Sequence, residues 1–142
     1  MKKATPKIRF FFDAYQYHVN GDEIDMVAAA YTDPFMFGAP RGVHAIETEQ
    51  FIKALHRRKE YFRKVGLGFS EIISLSENQL DEYYLMITAL WKMVYKTAEG
   101  ALIDDFNSTT YLLYEDKTTL KIAFQIDHQD LVEKANKLLL SR

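Results

Sequence analysis

Residues Gln79 to Asp127 read QLDEYYLMITALWKMVYKTAEGALIDDFNSTTYLLYEDKTTLKIAFQID, and this stretch decides the fold. Runs rich in Tyr, Phe, Leu, Ile, Thr and Trp are separated by Thr97-Ala98-Glu99-Gly100 and by Glu115-Asp116-Lys117. β-Branched and aromatic side chains suit a pleated, half-buried surface, whereas Gly, Asp and Lys suit the turns between strands. The pattern predicts three consecutive antiparallel strands, a meander with one face packed on a core.

Outward from the meander, Phe69 to Leu75 reads as a preceding strand, with Ser76-Glu77-Asn78 as its turn. Before it, Ile46, Phe51, Ile52, Leu55 and Phe62 fall on one side of a helix from about Ala45 or Thr48 to Val65, closed by Gly66-Leu67-Gly68. Phe35 to Gly38 reads as a short strand, followed by a loop through Ala39-Pro40-Arg41-Gly42. At the N-terminus Ile8, Phe11, Phe12, Tyr15 and Val19 mark an amphipathic helix, with Thr5 as N-cap, Pro6 in the first turn and Asn20-Gly21 as its stop. A second short helix opens at Asp22, carries Ile24, Val27, Ala28 and Tyr31, and ends at Thr32-Asp33-Pro34 because a residue before proline leaves the helical region. Leu131 to Leu140 is a final helix whose Leu138-Leu139-Leu140 end docks on the body.

Two strands carry a further message. Leu120, Ile122, Phe124 and Ile126 alternate with Thr119, Lys121, Ala123, Gln125 and Asp127, so strict alternation gives one apolar and one polar face. In the longest strand both faces are apolar, with Tyr83, Leu85, Ile87, Ala89, Trp91 and Met93 on one and Met86, Leu90 and Val94 on the other. A sheet cannot bury both faces on its own helices, so the second set predicts a homodimer through the outer face.

The 142 residues suit a single domain, 1–142, with a core large enough to need no staples. A net charge of −2 gives no field that favours nucleic acid or a membrane surface. The cluster His56-Arg57-Arg58-Lys59, continuing to Arg63-Lys64, reads as a solvated helix face interrupted by Glu60. Cysteine is absent, which excludes disulfides and a thiol nucleophile and is compatible with the cytoplasm. Asp13 and Gln16 interrupt the early apolar residues, so neither a signal peptide nor a membrane span is expected.

The element order, with two segments, resembles the nuclear transport factor 2-like superfamily, the cone-shaped α+β barrels that include SnoaL-like cyclases and ketosteroid isomerase. One segment runs from Asn20-Gly21-Asp22 through Ala30-Tyr31-Thr32-Asp33-Pro34-Phe35, with Arg41-Gly42-Val43-His44-Ala45-Ile46 leading to the third helix. The other is Leu120-Lys121-Ile122-Ala123-Phe124-Gln125-Ile126-Asp127, similar to the last strand of SnoaL-like members. The resemblance implies a curved, mostly antiparallel sheet wrapped around N-terminal helices, with a pocket in the cone. It does not imply one activity, because the fold hosts enzymes and non-enzymes alike.

Position by position, the isomerase carboxylate base falls at Gly38, its oxyanion tyrosine at Ala14 with Tyr15 adjacent, and its protonated acid near Thr110. The chain lacks that set, and no Arg lies on a predicted strand to build the Asp-Arg-Asp set of limonene epoxide hydrolase. Asp127 does match the last-strand carboxylate that serves as acid/base in SnoaL-like cyclases, with Gln125 on its face. A simpler reading makes Asp127 a strand terminator or cap of the final helix.

Under the isomerase register Tyr15, Tyr31, Ser108, Thr110 and Leu112 line the cone, His44 sits at its open end, and Trp91 is core or pocket wall. A pocket of this kind fits a small, largely apolar ligand, bound without chemistry or acted on by a cofactor-free isomerase, cyclase or lyase with Asp127 as base and Tyr15 or Thr110 orienting. Asp104-Asp105 near Asn107 reads as a charged turn. His18, His44, His56 and His128 have no metal-ligand spacing, and no phosphate loop or nucleophile elbow is present, so neither a metal nor a cofactor is expected.

Overall fold

The computed structural model describes residues 2–140, with side chains to residue 138. Its elements, in chain order, are β1 (Lys2–Lys3), α1 (Pro6–Asn20), α2 (Ile24–Ala28), β2 (Tyr31–Ala39), β3 (Gly42–Ile46), α3 (Thr48–Lys64), β4 (Leu67–Gln79), β5 (Tyr84–Lys96), β6 (Leu102–Glu115), β7 (Leu120–Asp127) and α4 (Leu131–Leu140). The strands form one seven-stranded sheet in the order β1-β4-β5-β6-β7-β2-β3. All neighbours are antiparallel except β2 and β7, which run parallel. This is an α+β fold in which helices fill the concave face of a curved sheet.

The meander and both of its turns stand where the residue pattern puts them. Five differences lie outside it. The predicted second helix stops at Ala28, and Tyr31 opens a strand instead, because Ala30 accepts the Ile122 N–H and Tyr31 then pairs with Ile122 of β7. Residues 42–46 form β3, hairpinned onto β2, in place of a loop leading straight to the helix. Ser76-Glu77-Asn78 extends β4 rather than turning it, since Glu77 pairs with Ile87 and its buried carboxylate accepts the Thr5 N–H at 2.5 Å. Thr5 itself stands at the helix start but forms no side-chain cap, and Lys2–Lys3 adds the small strand β1 against Ser76 and Glu77.

α3 begins with a reciprocal capping box between Glu47 and Gln50, and the Asp33 carboxylate also takes the Thr48 N–H at 3.0 Å. Its end needs Gly66, whose φ of +96° and close approach to the Lys96 carbonyl leave no room for a side chain. Leu138 of α4 packs with Phe62, Val65, Met93, Tyr95 and Ala135. The expected docking of Leu139 and Leu140 lies outside the described side chains.

The main core joins α1 to the sheet through Ile8, Phe12, Tyr15, Leu85, Ile87, Tyr111, Leu113 and Ile122. On β5 the alternation is regular: Leu85, Ile87, Ala89, Trp91, Met93 and Tyr95 are buried, and the intervening residues face out. β7 breaks its alternation. Ile122 pairs with Leu113 but Phe124 pairs with Leu112, so a bulge absorbs Ala123. The apolar face expected for Leu120, Ile122, Phe124 and Ile126 is therefore split. Ile122 is inside, while Phe124 and Ile126 lie opposite the outward-facing Leu112 and Thr110. The same bulge turns Gln125 and Asp127 inward, opposite Tyr111 and Thr109.

Candidate functional site

That inward turn puts Gln125 and Asp127 on the wall of a cavity of about 380 Å³ between α1, α3 and the sheet. Tyr15 of α1, Tyr31 of β2, Trp91 of β5 and Tyr111 of β6 complete the inner wall, and all four are buried. Each arrives there for a local reason. Tyr15 lies on the α1 stripe one turn beyond Phe12, Trp91 and Tyr111 have the inward parity of their strands, and Tyr31 is fixed by the parallel pairing to β7.

Their polar atoms are joined. Tyr15 and Tyr31 share a hydrogen bond of 2.5 Å between hydroxyls, Tyr31 donates to Gln125 Oε1, and Gln125 Nε2 donates to Asp127 Oδ1 at 3.0 Å. Because the Tyr31 proton goes to Gln125, Tyr15 is the donor in the phenol pair. Every donor in this chain thus points toward Asp127. Trp91 Nε1 donates to Tyr111 Oη at 3.1 Å, and the Tyr111 ring meets Tyr15 edge-on at 6.1 Å between centroids.

Burial sets the acidities. Asp127, only 5% exposed, has its pKa raised by desolvation, an effect opposed by the Gln125 hydrogen bond, then by Arg58, His128 and Thr109. Desolvation also pushes the Tyr15 phenol up to about 12 and those of Tyr31 and Tyr111 well above their ordinary values. The phenols are therefore neutral donors at physiological pH. A carboxylate of raised basicity facing neutral hydroxyls across an apolar space is a set suited to moving a proton.

Tyr15, Tyr31, Trp91, Gln125 and Asp127 are brought together as wall residues of one cavity. His44, Ser108 and Thr110 are not. His44 is exposed on β3 and folds back over the Gly42 turn. On β6 the inward residues are Asn107, Thr109, Tyr111 and Leu113, which pair with Trp91, Ala89, Ile87 and Leu85. Ser108, Thr110 and Leu112 therefore face out, one residue off the isomerase register, and Thr110 Oγ1 instead meets His128 Nε2 at 2.7 Å. Asp104 and Asp105 lie within β6 rather than in a turn, and Asp105 pairs with Lys134 of α4 at 3.1 Å.

Sequence reasoning missed Tyr111, Thr109 and Arg58. The wrong parity on β6 hid the first two. Arg58 was readable: it continues the Phe51, Leu55, Phe62 stripe of α3 at helical spacing, so it belongs to the buried face. Its guanidinium lies over the Phe62 ring, 5.4 Å from the centroid. Lys59, Arg63, Asp22 and Phe69 form the more exposed rim of the cavity.

A family profile described as "NTF2-like protein (DUF6841)" matches residues 6–130. No curated protein matches the chain. Among solved structures, Aln2 from a Streptomyces species superposes with a TM-score of 0.74 at 14% identity, covering 99% of this chain and 100% of its own. An NTF-2 like protein of unknown function from Shewanella oneidensis gives 0.67 at 14%, over 88% of this chain and 100% of its own. A ketosteroid isomerase-like protein from Erwinia carotovora atroseptica gives 0.64 at 19%, over 85% and 92%. At these identities the structural matches establish the shared fold alone. With the profile spanning α1 to the end of β7, the chain belongs to the NTF2-like family DUF6841.

Proposed function

We propose that the cone binds a small, largely apolar molecule bearing a carbonyl or hydroxyl oxygen, and that Asp127 acts on it as a cofactor-free general base. The observation that carries this reading is a buried carboxylate on the cavity wall at the end of a chain of donors. In the step, Asp127 takes a proton from carbon next to a carbonyl, the C–H electron pair moves into the carbon framework, and negative charge gathers on the carbonyl oxygen. The neutral Tyr111 phenol, whose oxygen accepts the Trp91 N–H and whose proton is outside the Tyr15–Tyr31–Gln125 chain, offers the carbonyl oxygen a hydrogen bond. Returning the proton to another carbon completes an isomerisation, and loss of a leaving group completes an elimination.

The test uses 2-tetralone, a bicyclic ketone with acidic α-hydrogens, in deuterated buffer. NMR follows α-hydrogen exchange while fluorescence of Trp91, the chain's one tryptophan, follows binding. Exchange above the buffer rate, falling by about a hundredfold or more in Asp127→Asn, is the expected result for a general base. Binding without exchange would leave a ligand carrier with no acid/base chemistry. No binding at all sinks both readings.

We infer further that the protein is a homodimer through the outer sheet face. Met86, Leu90 and Val94 of β5 lie on that face, beside Leu112, Phe124 and Ile126, and none of them is fully buried. Light scattering should give twice the chain mass, falling to one chain in Leu90→Glu. A monomeric wild type would overturn the inference.

A further inference from the structure

We propose that the ligand of this cavity is an anion, a small carboxylic acid whose carboxylate sits on Arg58 while its apolar body lies against Tyr15, Trp91 and Tyr111. The proposal rests on the binding reading above and adds a substrate class to it. Its source is the uneven distribution of charge around the cavity. Lys59 and Arg63 both reach Asp22 Oδ1, each at 3.7 Å, so those two cations share one exposed acid. Arg58 is half-buried on the cavity wall, with its guanidinium over the face of Phe62. Among the described residues no carboxylate lies within ion-pair distance of it.

Asp127 influences Arg58 through space but forms no ion pair with it, so the guanidinium is left facing the cavity. A guanidinium held partly out of water gains most from a planar, bidentate anion, because the two N–H···O bonds replace the hydration it has lost. Contact with the Phe62 face restrains the guanidinium and reduces the entropy lost when it binds. Lys59 and Arg63 at the rim add a field that draws anions toward the opening. A second carboxylate beside Asp127 would be repelled, so the ligand has one favourable orientation, with its acid group at Arg58 and its body toward the phenols.

The test compares 3-phenylpropanoate with 3-phenylpropanamide, which match in shape and differ in charge. Both are titrated into the full chain with Trp91 fluorescence as readout. The acid should bind about tenfold or more tightly than the amide, a ratio of the size that one charge-assisted contact supplies. Arg58→Gln should bring the two affinities together by weakening the acid far more than the amide, and Arg58→Lys should keep part of the preference, with thermal melts confirming that both variants fold. Equal affinities in the wild type, or a preference that survives Arg58→Gln, overturn the anion assignment and leave the pocket reading standing. If neither probe perturbs Trp91, both fall.

Discussion

The concave face of the sheet has two ends that share one backbone pattern and differ in chemistry. Toward the start of β5 the inward residues are Leu85 and Ile87, opposite Leu113 and Tyr111 of β6, with Ile122 of β7 beside them. Toward its end they become Trp91 and Met93, opposite Asn107 and Asp105, with Gln125 and Asp127 following on β7. All three strands pass from dry to polar in the same direction. Ile8 and Phe12 of α1 close the first end completely, whereas the second retains the cavity. Apolar burial with close packing holds the first end together. The second contains polar groups whose desolvation works against folding, an arrangement that proteins tolerate where it serves a site. The fold is stabilised at one end and used at the other.

This contrast breaks most visibly at Leu113, which is fully buried among Ile8, Phe12 and Ile122. Leu113→Ala should lower unfolding free energy by about 2–5 kcal/mol, the range for a large-to-small change in a tight core. Tyr111 stands where the two ends meet, with its hydroxyl turned to the polar one, and Tyr111→Phe removes only that hydroxyl, which accepts the Trp91 N–H; water in the cavity can take that bond. Its cost should be about 1.5 kcal/mol or less. Urea titrations of both variants measure the difference. Equal losses would mean that the polar end is as tightly packed as the dry one.

The two ends were not equally legible in the residues. The dry end follows from local pattern: the stripe Ile8, Phe12, Tyr15 on α1 and the alternation Leu85, Ile87, Ala89 on β5 appear as read. The polar end depends on register. Its key event is the bulge at Ala123, which keeps Ile122 and Gln125 on the same side despite their odd spacing, and nothing in the residues 120–127 announces it. Asp127 was found through its match to the last-strand carboxylate of SnoaL-like cyclases, and Gln125 came with it because the two share one face of that half of β7. Ser108 and Thr110 were misplaced because one residue of slip exchanges the faces of a strand. The early start of β2 was missed because it is made by pairing with a distant residue, Ile122, and β3 because the short hairpin through Pro40 and Arg41 that folds it back onto β2 read as a loop.

Asp127 gives the smallest expected effect on stability and sharpens the comparison furthest, because its sign is opposite. Burial raises its pKa, so the folded chain keeps this proton at pH values where the unfolded chain, near the ordinary 3.8, has lost it. Across that window the folded state binds more protons, and stability falls as pH rises. Below it both states are protonated and the penalty vanishes, while above it the penalty persists at full size. The groups that face the carboxylate are Gln125 and His128 beside it, Thr109 on β6 and Arg58 on α3, with Tyr15 and Tyr111 close enough to feel its charge. Asp127→Asn keeps an oxygen to accept from Gln125 Nε2 and removes the buried charge. At pH 7 the variant should therefore be more stable than the wild type, by about 0.5–1 kcal/mol, at the low end of what stabilising changes yield. Its advantage should shrink as pH is lowered and disappear near pH 3, below the ordinary carboxyl range. Thermal melts across this range measure both the sign and the window. A variant that is less stable at pH 7 would mean that the carboxylate holds the polar end together, and the division between a stabilising end and a working end would fail at its central residue.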